Sequence, residues 1–438
     1  MKERVIQFGT GNFLRGFADA FIDRLNKGGF FDGSVVIVSP TDSKNIDKIN
    51  SQHGRYNLVL RGIENGKTVN ERFEINCISR GVNPYRDFDG FLSLADCPDF
   101  RFIITNTTEA GIVFDAECRF DDRPAASFPA KLTQLLYRRF KNGLDGFVIL
   151  ACELIDDNAD KLKDCVLKYA KLWNSDKEFI DFVNNKNYFC NTLVDRIVTG
   201  YPKEEAEKFS EIIGWDDGLL DTAEPYHFWA IEGNFENELP LQKAGLNVFW
   251  TDDISSYKKR KVRVLNGAHT STVFPALLCG VQTVSEALAD TQLNEFLKKN
   301  LFSYILPVLG ETKENLDFAD AVLERFANPF IKHRWESIAL NSVSKFSVRV
   351  LPTMLDYKEQ FGTYPKTMAL SLAALIRYYK YFSVSDDVEK AEFIKQNDLR
   401  SILSDTELWG ADLSGMFSLV SEAYDFDDMR KAIQWSLS

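Results

Sequence analysis

Residues 4–8, RVIQF, form a short apolar run that halts at Gly9, after which Phe13, Phe17, Phe21 and Leu25 recur at steps of four. That order predicts a strand, a tight turn and a helix packed on one face. Gly28 and Gly29 close the helix, and the β-branched run Val35–Val38 supplies a second strand. Two strands joined through a helix run parallel, and a parallel sheet must be covered on both faces. Phe102–Thr105 and Gly146–Ala151, with a helical stretch at 129–141 between them, continue the alternation. The opening part of the chain therefore predicts an α/β architecture built on a doubly wound parallel sheet.

At 438 residues the chain is longer than one hydrophobic core usually organises. Beyond residue 159 the pattern becomes helical, with stretches at 159–172, 204–213, 258–273, 281–305, 315–326, 333–350, 366–383 and 388–403. The segment 220–253, with Trp229, Glu232, Pro240 and Asn247–Trp250, is expected to return to the first domain. Two domains follow, 1–254 and a mostly α-helical 255–438.

The turn after the first strand reads Gly9-Thr10-Gly11-Asn12-Phe13-Leu14-Arg15-Gly16. Gly9 permits the tight turn, and Gly11 lets backbone N–H groups at a helix N-terminus approach a pyrophosphate, with Asn12 and Phe13 beside it. Leu14 stands where a dinucleotide fingerprint has its third glycine, so the motif alone also fits any glycine-terminated strand. Arg15 reads equally as a phosphate contact or a solvated helix residue. After the second strand, Asp42 is the candidate acceptor for ribose hydroxyls, which would favour NAD; a turn aspartate is the plainer alternative. Thr105-Asn106-Thr107-Thr108-Glu109-Ala110-Gly111 follows another strand, where open α/β sheets bind ligands, and this makes Thr108 and Glu109 cofactor candidates. Asx and Ser/Thr turns explain part of such a composition.

The most informative stretch runs from Lys258 to Thr270, KKRKVRVLNGAHT. On a regular α-helix Lys261, His269 and Asn266 fall at about 0°, 80° and 140°. That arc includes Val262 and Leu265, so the polar groups are expected on a packing face. A lysine desolvated there is suited to general acid/base work, and an amide with an imidazole can polarise a carbonyl oxygen. A basic surface helix and a satisfied buried histidine are the structural alternatives.

Composition narrows the partners. The net charge of −12 disfavours nucleic acid and anionic membranes. No stretch is long and apolar enough to span a bilayer. The start, MKERVIQFG, enters a strand at once and leaves no room for a secretory leader, so a cytoplasmic location is expected. Seven cysteines without a CxxC pair read as reduced thiols, and four histidines outside HxxxH or HxC spacing argue against a dedicated metal site.

The chain resembles the polyol-specific long-chain dehydrogenase/reductases, the mannitol dehydrogenase family, along nearly its whole length. The resemblance rests on Gly9–Gly16, on Thr108-Glu109-Ala110-Gly111, on Val194-Asp195-Arg196-Ile197 and above all on Lys261–His269 as KxRxLNGxH. It implies a Rossmann-type N-terminal domain, a helical C-terminal domain and metal-independent hydride transfer with a nicotinamide cofactor. It also implies Lys261 as catalytic lysine, Asn266 and His269 on the substrate oxygen, Val194 and Asp195 against the cofactor, and Lys345 on the substrate. Asn106–Ile112, Cys152–Ile155 and Leu340–Lys345 are most similar to members that act with NAD on a small sugar acid rather than a polyol. Leu154, Lys258 and Ser337 depart from the mannitol-type pattern, so the polyol contacts are not carried over. A carboxylate substrate needs a cationic partner, for which Lys345 and Arg349, one turn apart, are candidates, with Arg263 and Lys258 as alternatives. Another hexuronate reductase, a polyol dehydrogenase, or a nicotinamide-binding protein without turnover remain the competing readings. The oligomeric state is not fixed by the sequence.

Overall fold

The structure is a computed structural model that describes residues 1–108 and 110–438. It forms two compact units: Met1–Arg61 with Val69–Ser255, and Gly62–Thr68 with Ser256–Ser438.

The first unit is organised by a parallel six-stranded sheet. Its strands are β1 (Lys2–Phe8), β2 (Gly33–Val38), β5 (Ile78–Val82), β6 (Phe102–Thr105), β7 (Val148–Ala151) and β8 (Tyr188–Cys190), in the order β5-β2-β1-β6-β7-β8. Alternate side chains enter different cores, as the two-residue strand period requires. Val5, Ile37, Ile104 and Leu150 lie in one, and Ile6, Val36, Ile103 and Ile149 in the other. Helices α1 (Ala20–Lys27), α2 (Phe128–Lys141), α3 (Asn158–Leu172) and α4 (Lys177–Asn185) supply cover. The chain is thus doubly wound, as the N-terminal alternation implies.

The pattern over 55–82 gave no such expectation. There β3 (Tyr56–Glu64) and β4 (Lys67–Ile75) form a three-stranded sheet with β10 (Asp221–Ala223). In β4 only Ile75 is buried, so it carries no apolar alternation to read. The remaining strands β9 (Thr192–Asp195), β11 (Phe228–Glu232) and β12 (Val248–Thr251) make a third sheet, ordered β12-β11-β9.

The second unit is helical and includes the Asn65-Gly66 turn, whose φ values of 52° and 71° suit a two-residue hairpin connection. Glu324 accepts from the backbone N–H groups of both turn residues, at 3.1 and 2.6 Å. Its central feature is α5 (Ser255–Lys261), which continues through a π turn, Val262–Asn266, into α6 (Gly267–Leu278). Residues Gly267–Ala276 are all buried, and α6 packs against α11 (Lys366–Tyr381). Pro275 inside α6 cannot donate to the carbonyl four residues earlier, that of Ser271. Ser371 Oγ of α11 donates to that oxygen instead, at 2.6 Å. Between them in sequence lie α7 (Lys313–Phe326), α8 (Trp335–Ile338), α9 (Ser342–Arg349) and α10 (Leu351–Phe361).

Three helical stretches read as continuous are broken. The run 281–305 divides into Val284–Ala289 and Thr291–Lys299 because Asp290 caps the second helix, and Asn300–Ile305 then forms a π turn. The run 333–350 divides at Asn341, whose φ of 53° leaves helical geometry. The run 388–403 divides at Asp398, whose carboxylate accepts from the N–H groups of Arg400 and Ser401. By competing for backbone N–H groups, Asp290 and Asp398 end helices that apolar periodicity alone would extend, and Asn341 does so by adopting the left-handed conformation that asparagine tolerates. Among the described residues no helix is long and apolar enough to cross a membrane.

Candidate active site

In the first unit the candidates Gly9–Phe13, Asp42 and Thr108 follow the carboxyl ends of β1, β2 and β6 respectively. Gly9 has φ of 138°, and a Cβ there would lie 2.7 Å from the carbonyl oxygen of Asn106. Only glycine fits. Gly11 is different: its φ is −74°, and nothing lies within 4 Å of the position a Cβ would take. The chain itself gives no steric reason for glycine at 11, whereas a phosphate group approaching the helix N-terminus does. Gly11 and Asn12 are exposed, and Phe13 is half-buried and stacked on Phe17 at 5.0 Å.

Arg15 is not a solvated helix residue. It is buried, donating to the carbonyl of Thr10 at 2.7 Å and to Asn12 Oδ1 at 2.6 Å, so it braces the glycine turn from within. The close packing that a third glycine provides comes from Gly16, where a Cβ would stand 2.9 Å from Val198 Cγ1. Below the turn sits a buried acidic pair. Burial pushes Asp19, which accepts from Gln7, up to about 7. Burial does the same to Asp221, again to about 7, against the pull of Arg15.

A cavity of about 520 Å³ is lined by Phe13, Asn106, Thr108, Ala110 and Leu154. Thr108 has φ of 79°, a left-handed conformation costing a β-branched residue on the order of 1–3 kcal/mol and concentrated at functional positions. Glu109 lies outside the described residues. Glu153, which the residue patterns did not single out, organises this strand end. Its buried carboxylate accepts from Thr105 Oγ1 at 2.8 Å and from Thr107 N and Oγ1 at 3.0 and 3.1 Å, and burial raises its carboxyl above the usual range. Asp42 is exposed beyond β2 and accepts from Asn83 at 2.9 Å. Val194 and Asp195 are buried at the end of β9.

In the second unit Lys261 ends α5, Asn266 ends the π turn and His269 lies in the first turn of α6. A π turn absorbs one extra residue, so Asn266 and His269 behave as if about four and seven regular residues beyond Lys261. Their offsets shrink from the wide arc expected of a uniform helix to about 40° and −20°. Lys261 and Asn266 are half-buried and His269 is buried. The His269 ring stacks on Phe326 at 4.0 Å with 19° between planes, and meets His333 and Trp335 edge-on at 5.1 and 6.2 Å. Burial, with His333, Arg325, Arg349 and Lys345 nearby, holds this imidazole well below the usual histidine range, so it is neutral. Its Nε2 is buried without a hydrogen-bond partner among the described residues. A box of aromatic rings around a neutral imidazole with an unused nitrogen is suited to a ligand oxygen. Phe326, His333 and Trp335 were missed because their contact with His269 joins distant helices.

The basic candidates separate. Arg263 is bound to Thr353 Oγ1 at 2.8 Å and to Asp356 at 3.0 Å. Lys345 Nζ donates to the carbonyl of Ile338 at 3.0 Å. Arg349, half-buried at the end of α9, has neither a hydrogen bond nor an ion pair among the described residues.

A doubly wound sheet with an open glycine turn, and a helical unit carrying lysine, asparagine and histidine on one helix, define a dinucleotide-dependent dehydrogenase class. The family comparisons make this specific: residues 3–243 match the mannitol dehydrogenase Rossmann domain and residues 253–426 the mannitol dehydrogenase C-terminal domain. The chain belongs to the mannitol dehydrogenase family. It is 43% identical over 430 residues to the altronate oxidoreductase of Bacillus subtilis (strain 168), covering 94% of this chain and 89% of the relative. With the altronate oxidoreductase of Escherichia coli O7:K1 it shares 42% over 465 residues, covering 99% and 96%. Its fold is similar to a substrate-free D-sorbitol dehydrogenase, with TM-score 0.84, 23% identity and coverage of 99% and 95%. It is also similar to Pseudomonas fluorescens mannitol 2-dehydrogenase in complex with NAD and D-mannitol, with TM-score 0.72, 20% identity and coverage of 100% and 94%.

Proposed function

We propose that the chain is an NAD-dependent oxidoreductase that interconverts D-tagaturonate and D-altronate, with residues 1–254 carrying the dinucleotide and 255–438 the substrate chemistry. The observation that carries this reading is full-length likeness to altronate oxidoreductases in a chain that retains Lys261, Asn266 and His269 on one helix.

The turn Gly9–Phe13 fits a pyrophosphate, because Gly11 leaves open the volume that a Cβ would fill. Asp42 serves the ribose hydroxyls and disfavours a 2′-phosphate by like charge, while Thr108, Glu109, Val194 and Asp195 serve the nicotinamide end. NAD supplies the hydride acceptor or donor. In the direction of reduction the Lys261 ammonium donates its proton to the oxygen that becomes an alkoxide. Asn266 Nδ2 and the Nε2–H of neutral His269 donate to the same oxygen, each such donor being worth on the order of a hundredfold in rate. In the direction of oxidation Lys261 takes the hydroxyl proton back. Burial keeps His269 uncharged, so its donation to that oxygen uses the tautomer protonated on Nε2.

Following NADH absorbance with D-tagaturonate, D-fructuronate and D-fructose in parallel tests this assignment. Fastest turnover is expected with D-tagaturonate. A preference for either other ketone overturns the substrate, and absence of turnover on any of them overturns the reading as an enzyme of this kind.

A further inference from the structure

A sugar acid differs from a neutral sugar by one carboxylate, and the second unit contains an arginine without a counter-ion among the described residues. Arg349 is the last residue of α9, which packs against α6. Its backbone lies against the start of α6: a Cβ on Gly267 would be 3.0 Å from the Arg349 carbonyl oxygen. Gly267 follows Asn266 and precedes His269 by two residues, and Arg349 is close enough to His269 to disfavour a positive charge there. The guanidinium is partly withdrawn from water, yet among the described residues it has no hydrogen bond and no carboxylate partner. A half-buried, unpaired guanidinium is unfavourable in the protein alone and becomes favourable once an anion docks on it.

The neighbouring cations differ in what they have left to offer. Arg263 is held by Asp356 and Thr353, whereas Lys345 donates one of its three N–H groups to the carbonyl of Ile338 and keeps its charge as a compact point donor. His333, Arg325, Arg349 and Lys345 all act on His269 with the same sign, and no carboxylate is among the principal influences on it. Lys345 and Arg349 thus bring positive charge near His269, with Asp386 acting on Lys345, and the planar fork of Arg349 has no hydrogen-bond partner among the described residues. A planar fork matches a carboxylate through two parallel hydrogen bonds, which an ammonium cannot reproduce.

We infer that Arg349 binds the carboxylate of the sugar acid and is the residue that sets selectivity for an acid over a neutral ketose. This rests on the reading of the Lys261 group as the reaction centre for a keto sugar acid. The selectivity would come from a single side chain: a neutral ketose leaves the guanidinium partly buried and unsatisfied, whereas the acid satisfies it.

The test compares kcat/KM for D-tagaturonate with that for the neutral ketose carrying a hydroxymethyl group in place of the carboxylate, in the wild type, Arg349→Lys and Arg349→Met. For Arg349→Met the acid-to-neutral ratio is expected to fall at least thirtyfold, mainly through KM for the acid, with NADH affinity kept. Arg349→Lys should fall between, since charge remains and the fork is lost. Millimolar guanidinium added to Arg349→Ala should restore part of the acid activity, which urea should not. Equal losses on both substrates, or an unchanged ratio in a folded variant, overturn the inference while leaving the enzyme assignment intact. If the wild type turns over no sugar acid, the underlying reading fails and this inference falls with it. If Arg349→Met does not fold, the ratio in Arg349→Lys decides: an unchanged ratio overturns the role of the fork.

Discussion

Gly9 and Gly11 are two residues apart and should respond to the same substitution in opposite ways. At Gly11, φ of −74° suits alanine and nothing lies within 4 Å of its Cβ. Replacing glycine by alanine in a compatible conformation stabilises by about 0.4–1 kcal/mol through the unfolded chain. Alanine is the poorer N-cap by a similar amount, so the terms nearly cancel. The apparent melting point should move by less than about 2 °C, given about 2–4 °C per kcal/mol for units of this size. NADH affinity should fall, because the methyl group occupies the approach to the helix N-terminus. Loss of one charge-assisted hydrogen bond to phosphate, about 1.5–3 kcal/mol, gives a Kd raised on the order of ten- to a hundredfold. Gly9→Ala carries the reverse signature: with φ of 138° and a Cβ 2.7 Å from the Asn106 carbonyl oxygen, it should lose about 1–3 kcal/mol of stability without cofactor present. Differential scanning fluorimetry on the free protein and NADH fluorescence titration read the two quantities separately. A Gly11→Ala protein that melts like the wild type and binds NADH within twofold of it would refute the argument that this turn cradles the pyrophosphate.

Lys261→Met should lower turnover with D-tagaturonate by about a thousandfold while leaving NADH Kd nearly unchanged, since proton transfer by a positioned side chain is worth about 10²–10⁴; stopped-flow turnover and titration check this, and near-normal turnover would remove Lys261 from its role. Asp19 and Asp221, each raised to about 7 by burial, bind protons more tightly folded than unfolded, where an aspartate titrates near ~3.9. Their stabilising contribution is present in full below about pH 4 and is lost as pH rises through 7, about 4 kcal/mol each by linkage over the roughly three pH units between the two values. Asp221→Asn, which keeps the acceptor for the Thr222 N–H, should flatten the decline in melting point between about pH 4 and 7; an unchanged slope would show that the carboxylate is not buried as described. Ser371→Ala leaves the Ser271 carbonyl in α6 without its donor and should destabilise the helical unit by about 1–3 kcal/mol in thermal unfolding, whereas a neutral result would contradict the role given to Pro275.

The sheet was legible because its signals are local. An apolar pentad ending on Gly9 and a β-branched run at Val35–Val38 identify β1 and β2 without knowledge of anything distant. The Lys261, Asn266 and His269 grouping was legible for the same reason, as three polar residues within one helical stretch. Arg15 was misread because its partners, the Thr10 carbonyl and Asn12, create a buried niche that no helical wheel displays. The Asn65-Gly66 turn was overlooked although an Asn-Gly pair is a strong hairpin signal, because β4 has an exposed, charged sequence with no apolar face. The isolation of Arg349 could not be read at all, because whether a helix-end arginine finds a carboxylate depends on residues distant in sequence, as Arg263 finds Asp356.

Two of the wide helical turns sit where chemistry is expected, and one physical argument covers both. Arg15–Asp19 follows the glycine turn, and Val262–Asn266 separates Lys261 from His269. A π turn loosens the regular hydrogen-bond ladder, so a helix without another constraint relaxes to the α form. In the first case the constraint is burial on all sides: every residue from Arg15 to Asp19 is buried, and Gly16 must pass within contact distance of Val198. In the second, the extra residue lets Val264 and Leu265 remain in the interior while Lys261, Asn266 and His269 come round to a narrower arc than a uniform helix permits. Converting that turn to α geometry would keep every side chain and still spread Lys261, Asn266 and His269 apart, so the shape of the backbone, and not the residue types alone, is what brings the three groups proposed to hold one oxygen atom onto a narrow arc.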